Sequence, residues 1–92
     1  MPAYLALLRK DPDSDYGIEF PDFPGCVTAA EDMARARELA EEALLFHIEG
    51  LLADGEPLPK PSNFEKIMAD PENRQAAVLL VQVPDADLRK SA

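Results

Sequence analysis

The chain has 92 residues, 47% of them hydrophobic, and 18 acidic against 9 basic side chains give it a formal net charge of -9 at pH 7. This length allows one compact domain with one core, and the apolar content excludes a chain that stays disordered. The negative charge disfavours nucleic acid as a direct ligand, because phosphate binding requires cations, and favours fast encounter with a basic protein.

Cys26 is the only cysteine in the sequence, which excludes an internal disulfide and a cysteine-based metal cage. The opening segment MPAYLALLRK places its charges after a short apolar run, unlike a secretory signal. No apolar run approaches the roughly 20 residues that span a bilayer. We therefore expect a cytoplasmic protein in a reducing compartment, with no cofactor and no membrane partner.

Two strands that form a hairpin are predicted near the beginning of the chain. The apolar run YLALL, Tyr4 to Leu8, is typical of a strand near the middle of a sheet. After a polar turn, Tyr16, Ile18 and Phe20 alternate with other residues, which predicts a strand with one buried face.

The motif PDFPG, Pro21 to Gly25, predicts a chain reversal. Pro24 and Gly25 suit the central pair of a type II turn, because proline fixes a negative φ and glycine accepts a positive one. A short third strand is predicted from Cys26 to Ala29.

A long helix is predicted from Met33 to Asp54, with Asp32 as its N-cap and Gly55 as its stop signal. Its apolar residues share one stripe, which we expect to pack on the sheet. The stripe comprises Met33, Ala36, Ala40, Ala43, Leu44, His47, Ile48 and Leu51. A helix of this length exceeds a strand of about five residues, so its end should extend beyond the sheet toward partners.

The C-terminal third predicts an extended proline-rich stretch, a short helix and a last strand. Ser62 and Glu65 form a capping box for a helix through Met68. The nearly continuous apolar run from Ala76 to Val83 predicts an internal strand, which a right-handed crossover would place parallel to the first strand. The predicted fold class is α+β, in the order β-β-β-α-β, with a four-stranded, mostly antiparallel sheet and one long helix packed on it.

The segment from Phe20 to Ser62, FPDFPGCVTAAEDMARARELAEEALLFHIEGLLADGEPLPKPS, resembles the core signature of HicB-type antitoxins of type II toxin-antitoxin systems. The segment contains, in this order, a PDxPGC turn, a Thr-bearing strand, an Ala- and Glu-rich helix ending in HxEGL, and a DGExxPxPS motif after the helix. The resemblance covers Ala3 to Val83. The family usually has Gly at Ala30 and Thr at Asp32; because Ala tolerates positive φ poorly, we expect a slightly different turn into the helix.

The resemblance implies a partial ribonuclease H-like fold without its catalytic carboxylates, hence no enzyme. It implies a toxin-neutralising domain at residues 1–83 and a polar tail or linker at 84–92. Many members continue into a DNA-binding domain that these residues lack, so DNA would be bound only through such a domain. The implied partner is a small basic HicA-type toxin that cleaves messenger RNA. The resemblance implies that the antitoxin domain covers the active surface of this toxin. The alternatives are a homo-oligomeric HicB-like scaffold without a toxin, and a metal-dependent nuclease.

Two clusters of candidate site residues have simpler interpretations. Asp11, Asp13 and Asp15 resemble the start of an EF-hand loop, but Tyr16 and Asp22 stand where such a loop needs Gly and Glu. A solvated turn is favoured over a calcium site.

Cys26 and His47 could act as a nucleophile and its base. Nothing in the spacing brings these two residues together, so a small buried hydrophobe and a core histidine are favoured. Glu19 is the only acid inside a predicted strand, which is too few for two-metal nuclease chemistry.

A candidate partner-binding surface is predicted on the side of the helix away from the stripe. An acidic rim around apolar anchors would suit a basic partner. The candidates are Glu38, Glu42, Leu45, Phe46 and Glu49 of the helix, with Asp22 and Phe23 of the PDFPG turn. The competing interpretation is a solvated helix face with self-association through edge strands.

Overall fold

The computed structural model describes residues 2–10, 12 and 14–84. Predicted turn residues Asp11 and Asp13, and all of the predicted tail beyond Pro84, lie outside the described residues. The elements are β1 (Ala3–Lys10), β2 (Tyr16–Glu19), β3 (Val27–Ala30), α1 (Met33–Ala53), α2 (Phe64–Met68), a 3₁₀ helix (Pro71–Gln75) and β4 (Ala77–Gln82).

The strands form one sheet in the order β3-β2-β1-β4, and every pairing is antiparallel. β1 is internal: Leu7 pairs with Glu19 of β2 on one side and with Val78 of β4 on the other. The α+β class and the central position of β1 are confirmed. The prediction that the last strand is internal and parallel to β1 is wrong, because β4 is an antiparallel edge strand.

Both faces of β1 are covered, by different helices. Tyr4, Ala6 and Leu8 belong to the main core under α1, whereas Leu5 and Leu7 pack with Ile67 of α2 on the opposite face. The side chains of successive strand residues alternate between faces, so a fully apolar strand is required here. This explains the uninterrupted run YLALL.

The path from α1 to β4 explains the antiparallel orientation of the last strand. The hydroxyl of Tyr4 donates to the carbonyl of Pro59 at 2.8 Å, near the beginning of β1, whereas Ala77 pairs with Leu8 near its end. The chain between these points crosses to the second face and runs along β1. It must therefore return in the opposite direction through β4.

The apolar character of β4 comes from one buried face rather than two. Val81 and the following Val83 lie in the core under α1. Val78 and Leu80 point to the second face, where Leu80 is 50% exposed. The apolar run predicted an internal strand, but α2 covers β1 and leaves the second face of β4 open.

Local chemistry fixes the ends of α1. Asp32 caps the first turn by accepting a bond from the N–H of Arg35 at 2.8 Å. Gly55 has φ +74° and donates to Leu52, while Glu56 donates to Leu51, the two bonds of a Schellman motif. The predicted N-cap and stop residue are confirmed, and the helix ends at Ala53, one residue before the predicted Asp54.

The predicted turn at Pro24 and Gly25 is also confirmed. Gly25 has φ +88°, and the N–H of Cys26 donates to the carbonyl of Phe23 at 2.9 Å. Ala30 needs no positive φ, since it ends β3 in register with Tyr16.

The cap of the short helix differs from the prediction. Asn63, not Ser62, accepts from the first turn, through Lys66 N–H at 2.7 Å. The N–H and the hydroxyl of Ser62 both donate to the carboxylate of Asp22 instead. The 3₁₀ helix that follows Asp70 was not predicted; Asp70 caps it by accepting from the N–H of Glu72.

Candidate protein-interaction site

A shallow depression lies between α1 and the edge strand β3. Phe46 is 81% exposed beside it, and two exposed carboxylates, Glu42 and Glu49, border it. The depression is lined by Thr28, Leu39, Glu42, Ala43, Leu45, Phe46 and Glu49. We refer to β3 together with these lining residues as the β3 flank. An apolar side chain framed by negative charge is the arrangement that was predicted for a basic partner.

The helical period places Phe46 outside the core. Leu44 and Ile48 face the sheet and are buried. Each residue advances the helix by about 100°, so the residue midway between these two points away from the sheet. Leaving a large aromatic ring in water forgoes roughly 2 kcal/mol of burial, which a contact with a partner would recover.

The predicted residues of the helix are only partly brought together. Glu42, Leu45, Phe46 and Glu49 all line the depression. Glu38 lies about one turn earlier, outside the lining, where its carboxylate is 3.6 Å from the guanidinium of Arg35. Both groups of this ion pair are largely exposed, so it holds Glu38 only weakly.

The PDFPG turn does not contribute an exposed anchor. Phe23 is 2% exposed, and its ring makes edge contacts with Tyr4 at 4.6 Å and His47 at 5.7 Å between centroids. Its backbone takes part in two successive turns, bonding Phe20 on one side and Cys26 on the other, which fold the ring into the core. The prediction of Phe23 as a surface anchor is therefore wrong.

Asp22 binds within the chain. Its carboxylate accepts from the N–H of Ser62 at 2.8 Å and from the Ser62 hydroxyl at 2.6 Å. Burial, and secondarily the charge of Asp22, raise the pKa of the Tyr4 hydroxyl, which keeps that group protonated as the donor to Pro59. These contacts attach the proline-rich segment to β1 through Tyr4 and to the PDFPG turn through Asp22.

Cys26 and His47 both pack in or against the core. The Cys26 thiol donates to the Ala43 carbonyl at 3.7 Å, and burial raises its pKa, which disfavours the thiolate needed for nucleophilic catalysis. Glu19 is paired with Arg9. Among residues 2–10, 12 and 14–84, no three His, Cys, Asp or Glu side chains are grouped to hold a metal ion.

The opposite side of α1 has a different composition. A second depression there is lined by Arg37, Glu41, Leu45, Leu80, Gln82 and Pro84, so Leu45 lines both depressions. Arg37 reaches over the sheet edge and donates to the Leu80 carbonyl at 3.2 Å. We refer to β4 with these residues as the β4 flank. The lining of the β4 flank includes the positively charged side chain of Arg37, whereas the lining of the β3 flank includes no Lys or Arg.

Sequence reasoning missed Thr28, Leu39 and Ala43 in the lining of the β3 flank. Thr28 alternates with Val27 and Ala29 along β3, so it faces α1. The alternation was readable in the sequence. That β3 forms an edge was not, because edge position depends on where β4 joins the sheet.

No helix in the described part of the chain combines the length and apolar character needed to cross a membrane.

Comparison with known proteins matches residues 4–92 to the family described as HicB_like antitoxin of bacterial toxin-antitoxin system. Antitoxin HicB of Escherichia coli K12 is 37% identical over 62 residues, which cover 65% of this chain and 45% of that protein. This chain spans about half the length of the curated relatives it matches, 51% of one and 45% of another.

Solved structures agree with this match. The Burkholderia pseudomallei antitoxin HicB superposes with a TM-score of 0.85 and 32% identity, covering 95% of this chain and 67% of that one. A chain of a HicA3 and HicB3 toxin-antitoxin complex superposes with a TM-score of 0.74 and 29% identity, covering 89% and 98%. The chain therefore belongs to the HicB-like antitoxin family of bacterial toxin-antitoxin systems.

Proposed function

We propose that this chain neutralises a small basic HicA-type toxin by binding it through the β3 flank and covering its RNA-cleaving surface. The observation that carries this proposal is Phe46, an 81% exposed aromatic ring in a depression bordered by Glu42 and Glu49. A central aromatic anchor within a charged rim is the usual arrangement of a strong protein-binding site.

The charge of the chain supports a basic partner. With a formal net charge of -9, the protein attracts a cationic toxin over distances of about 10 Å at ordinary salt. The carboxylates of Glu42 and Glu49 would then fix the orientation of the toxin around the Phe46 ring, because complementary charges align partners and increase their association rate.

The comparison with the HicA3 and HicB3 complex supports a toxin as the partner, because a chain of that complex has the same fold as this one. The bound chain would exclude RNA from the toxin by electrostatic repulsion as well as by steric hindrance. A bound acidic domain repels phosphates from whatever surface of the toxin it covers.

Growth rescue in bacteria that co-express this chain with a HicA-type toxin, which we expect to be encoded beside its gene, tests the proposal. We expect the wild-type chain to restore growth. Glu42→Lys should abolish rescue and weaken binding by about tenfold or more, because it sets a cation against a cationic partner.

The matched control is Glu41→Lys, which makes the same charge change one residue away but on the β4 flank. It should rescue growth like the wild type. No rescue by the wild-type chain, with a doubled mass in the absence of toxin, would favour the homo-oligomeric scaffold instead. Equal losses in both variants would show that net charge, rather than this surface, determines binding.

A further inference from the structure

The outer edge of the sheet at β3 presents unpaired backbone groups. The N–H of Phe20 donates to the carbonyl of Cys26 at 3.2 Å, which marks this pair as a hydrogen-bonded one. Hydrogen-bonded pairs alternate along an antiparallel ladder, so the N–H and C=O groups of Val27 and Ala29 point away from β2. No residue among those that the structure describes bonds to these four groups. Val27 is 66% exposed.

The edge at β4 differs because its central carbonyl is covered by a charged side chain. The N–H of Val83 donates to Pro2 across the β1 pairing, so by the same alternation Val78, Leu80 and Gln82 point outward. The carbonyl of Leu80, in the middle of that edge, is occupied by the guanidinium of Arg37. A charged side chain over an edge is a common means of preventing strand addition.

The β3 edge and the depression form one continuous surface. Thr28 lines the depression together with Glu42 and Phe46 of α1. A strand added beside β3 would direct every second side chain toward these residues, because side chains alternate between the faces of a sheet. Backbone pairing at the edge and side-chain contact in the depression would therefore occur together.

We propose that an extended segment of the cationic toxin adds to the sheet as a new strand at β3, placing its alternate basic side chains between Glu42 and Glu49. This inference rests on the proposed function and specifies how the toxin is held. Main-chain bonds to Val27 and Ala29 would supply affinity, and the acidic depression would supply selectivity.

Charge distinguishes a cationic strand from a second copy of this chain at the same edge. Two copies paired through β3 would place Glu42 and Glu49 of one beside those of the other, and each chain has a net charge of -9. Like charges across an interface are unfavourable. A cationic segment removes this repulsion and turns it into attraction.

Calorimetric titration with the HicA-type toxin, inactivated in its catalytic residue, tests strand addition. Ala29→Pro removes one outward N–H, and proline is tolerated on an edge strand where that group faces solvent. We expect binding to weaken by about tenfold or more. Val78→Pro makes the same change on the other edge and should bind like the wild type.

Hydrogen exchange of wild-type amides provides a second measurement that needs no variant. The amides of Val27 and Ala29 should become protected when the toxin binds, and that of Val78 should not change. Protection at Val78 instead, or tight binding with Val27 and Ala29 still exchanging freely, would overturn strand addition while leaving the antitoxin role intact. Failure of the wild-type chain to bind the toxin would overturn both. Protection of Val27 and Ala29 that depends on chain concentration without toxin would indicate a second copy.

Discussion

The two flanks of α1 differ although one helix and one sheet build both. The β3 flank exposes Phe46 beside two carboxylates and an open strand edge, and the β4 flank has Arg37 bonded across its edge to Leu80. Both contain exposed apolar side chains, so exposure alone does not identify a binding site. The charge around the apolar group and the state of the neighbouring strand edge distinguish one from the other.

This difference separates two reasons for an exposed hydrophobic residue. Leu80 is exposed because α2 covers β1 and stops short of β4. Phe46 is exposed because the helix directs it away from a core that is already filled by Leu44 and Ile48. The following variants test whether only the β3 flank is functional.

Leu44→Ala should have the largest effect, because it acts on the core below both flanks. Leu44 is fully buried, and removing its side chain should lower the free energy of unfolding by about 3 kcal/mol. Urea denaturation measures this loss. Phe46→Ala, two residues away, should leave the midpoint of unfolding unchanged. Equal destabilisation by the two changes would place Phe46 in the core.

Phe46→Ala should weaken toxin binding by about 2 kcal/mol, the loss expected for a central aromatic anchor. Calorimetry with the inactivated toxin measures it. Leu80→Ala, which truncates an exposed apolar side chain on the β4 flank, is the matched control and should bind normally. The assignment of the two flanks would be reversed if Leu80→Ala caused the greater loss.

Asp22→Asn should reduce stability by about 1.5 kcal/mol, because it weakens two charge-assisted hydrogen bonds to Ser62. Thermal denaturation records the change. Toxin affinity should stay the same, since Asp22 lies outside the β3 flank. A loss of toxin affinity without a loss of stability would show that Asp22 contributes to the toxin-binding surface.

Arg37→Ala should have the smallest effect on stability, about 0.5 kcal/mol, because the bond to Leu80 is exposed. It should nevertheless uncover the β4 edge and promote self-association at high concentration. Light scattering compares it with Arg35→Ala, which removes an equal charge away from the edge. Identical behaviour of the two variants would show that Arg37 does not protect that edge.

Much of the fold was predictable because local signals agreed with the final structure. The Asp32 cap, the Gly55 stop and the turn at Gly25 each depend on neighbouring residues alone. The burial of Leu44 and Ile48 followed from a helical period. The position and direction of β4 were not predictable, since they depend on the chain crossing to the second face.

The candidate site was predictable where it lay on one helix. Phe46, Glu42 and Glu49 share a face by periodicity, and the structure keeps them together. Phe23 could not be placed from sequence, because its burial depends on contacts with Tyr4 and His47, which are distant in the chain. The same holds for Asp22, whose partner Ser62 lies 40 residues away.

Cleavage of RNA by the purified HicA-type toxin, measured with and without saturating amounts of this chain, tests the central claim most directly. We predict that the wild-type chain and Leu80→Ala stop cleavage, whereas Phe46→Ala at the same concentration leaves the toxin active. A toxin that continues to cleave in the presence of the wild-type chain, or that is stopped equally by all three proteins, would contradict the account.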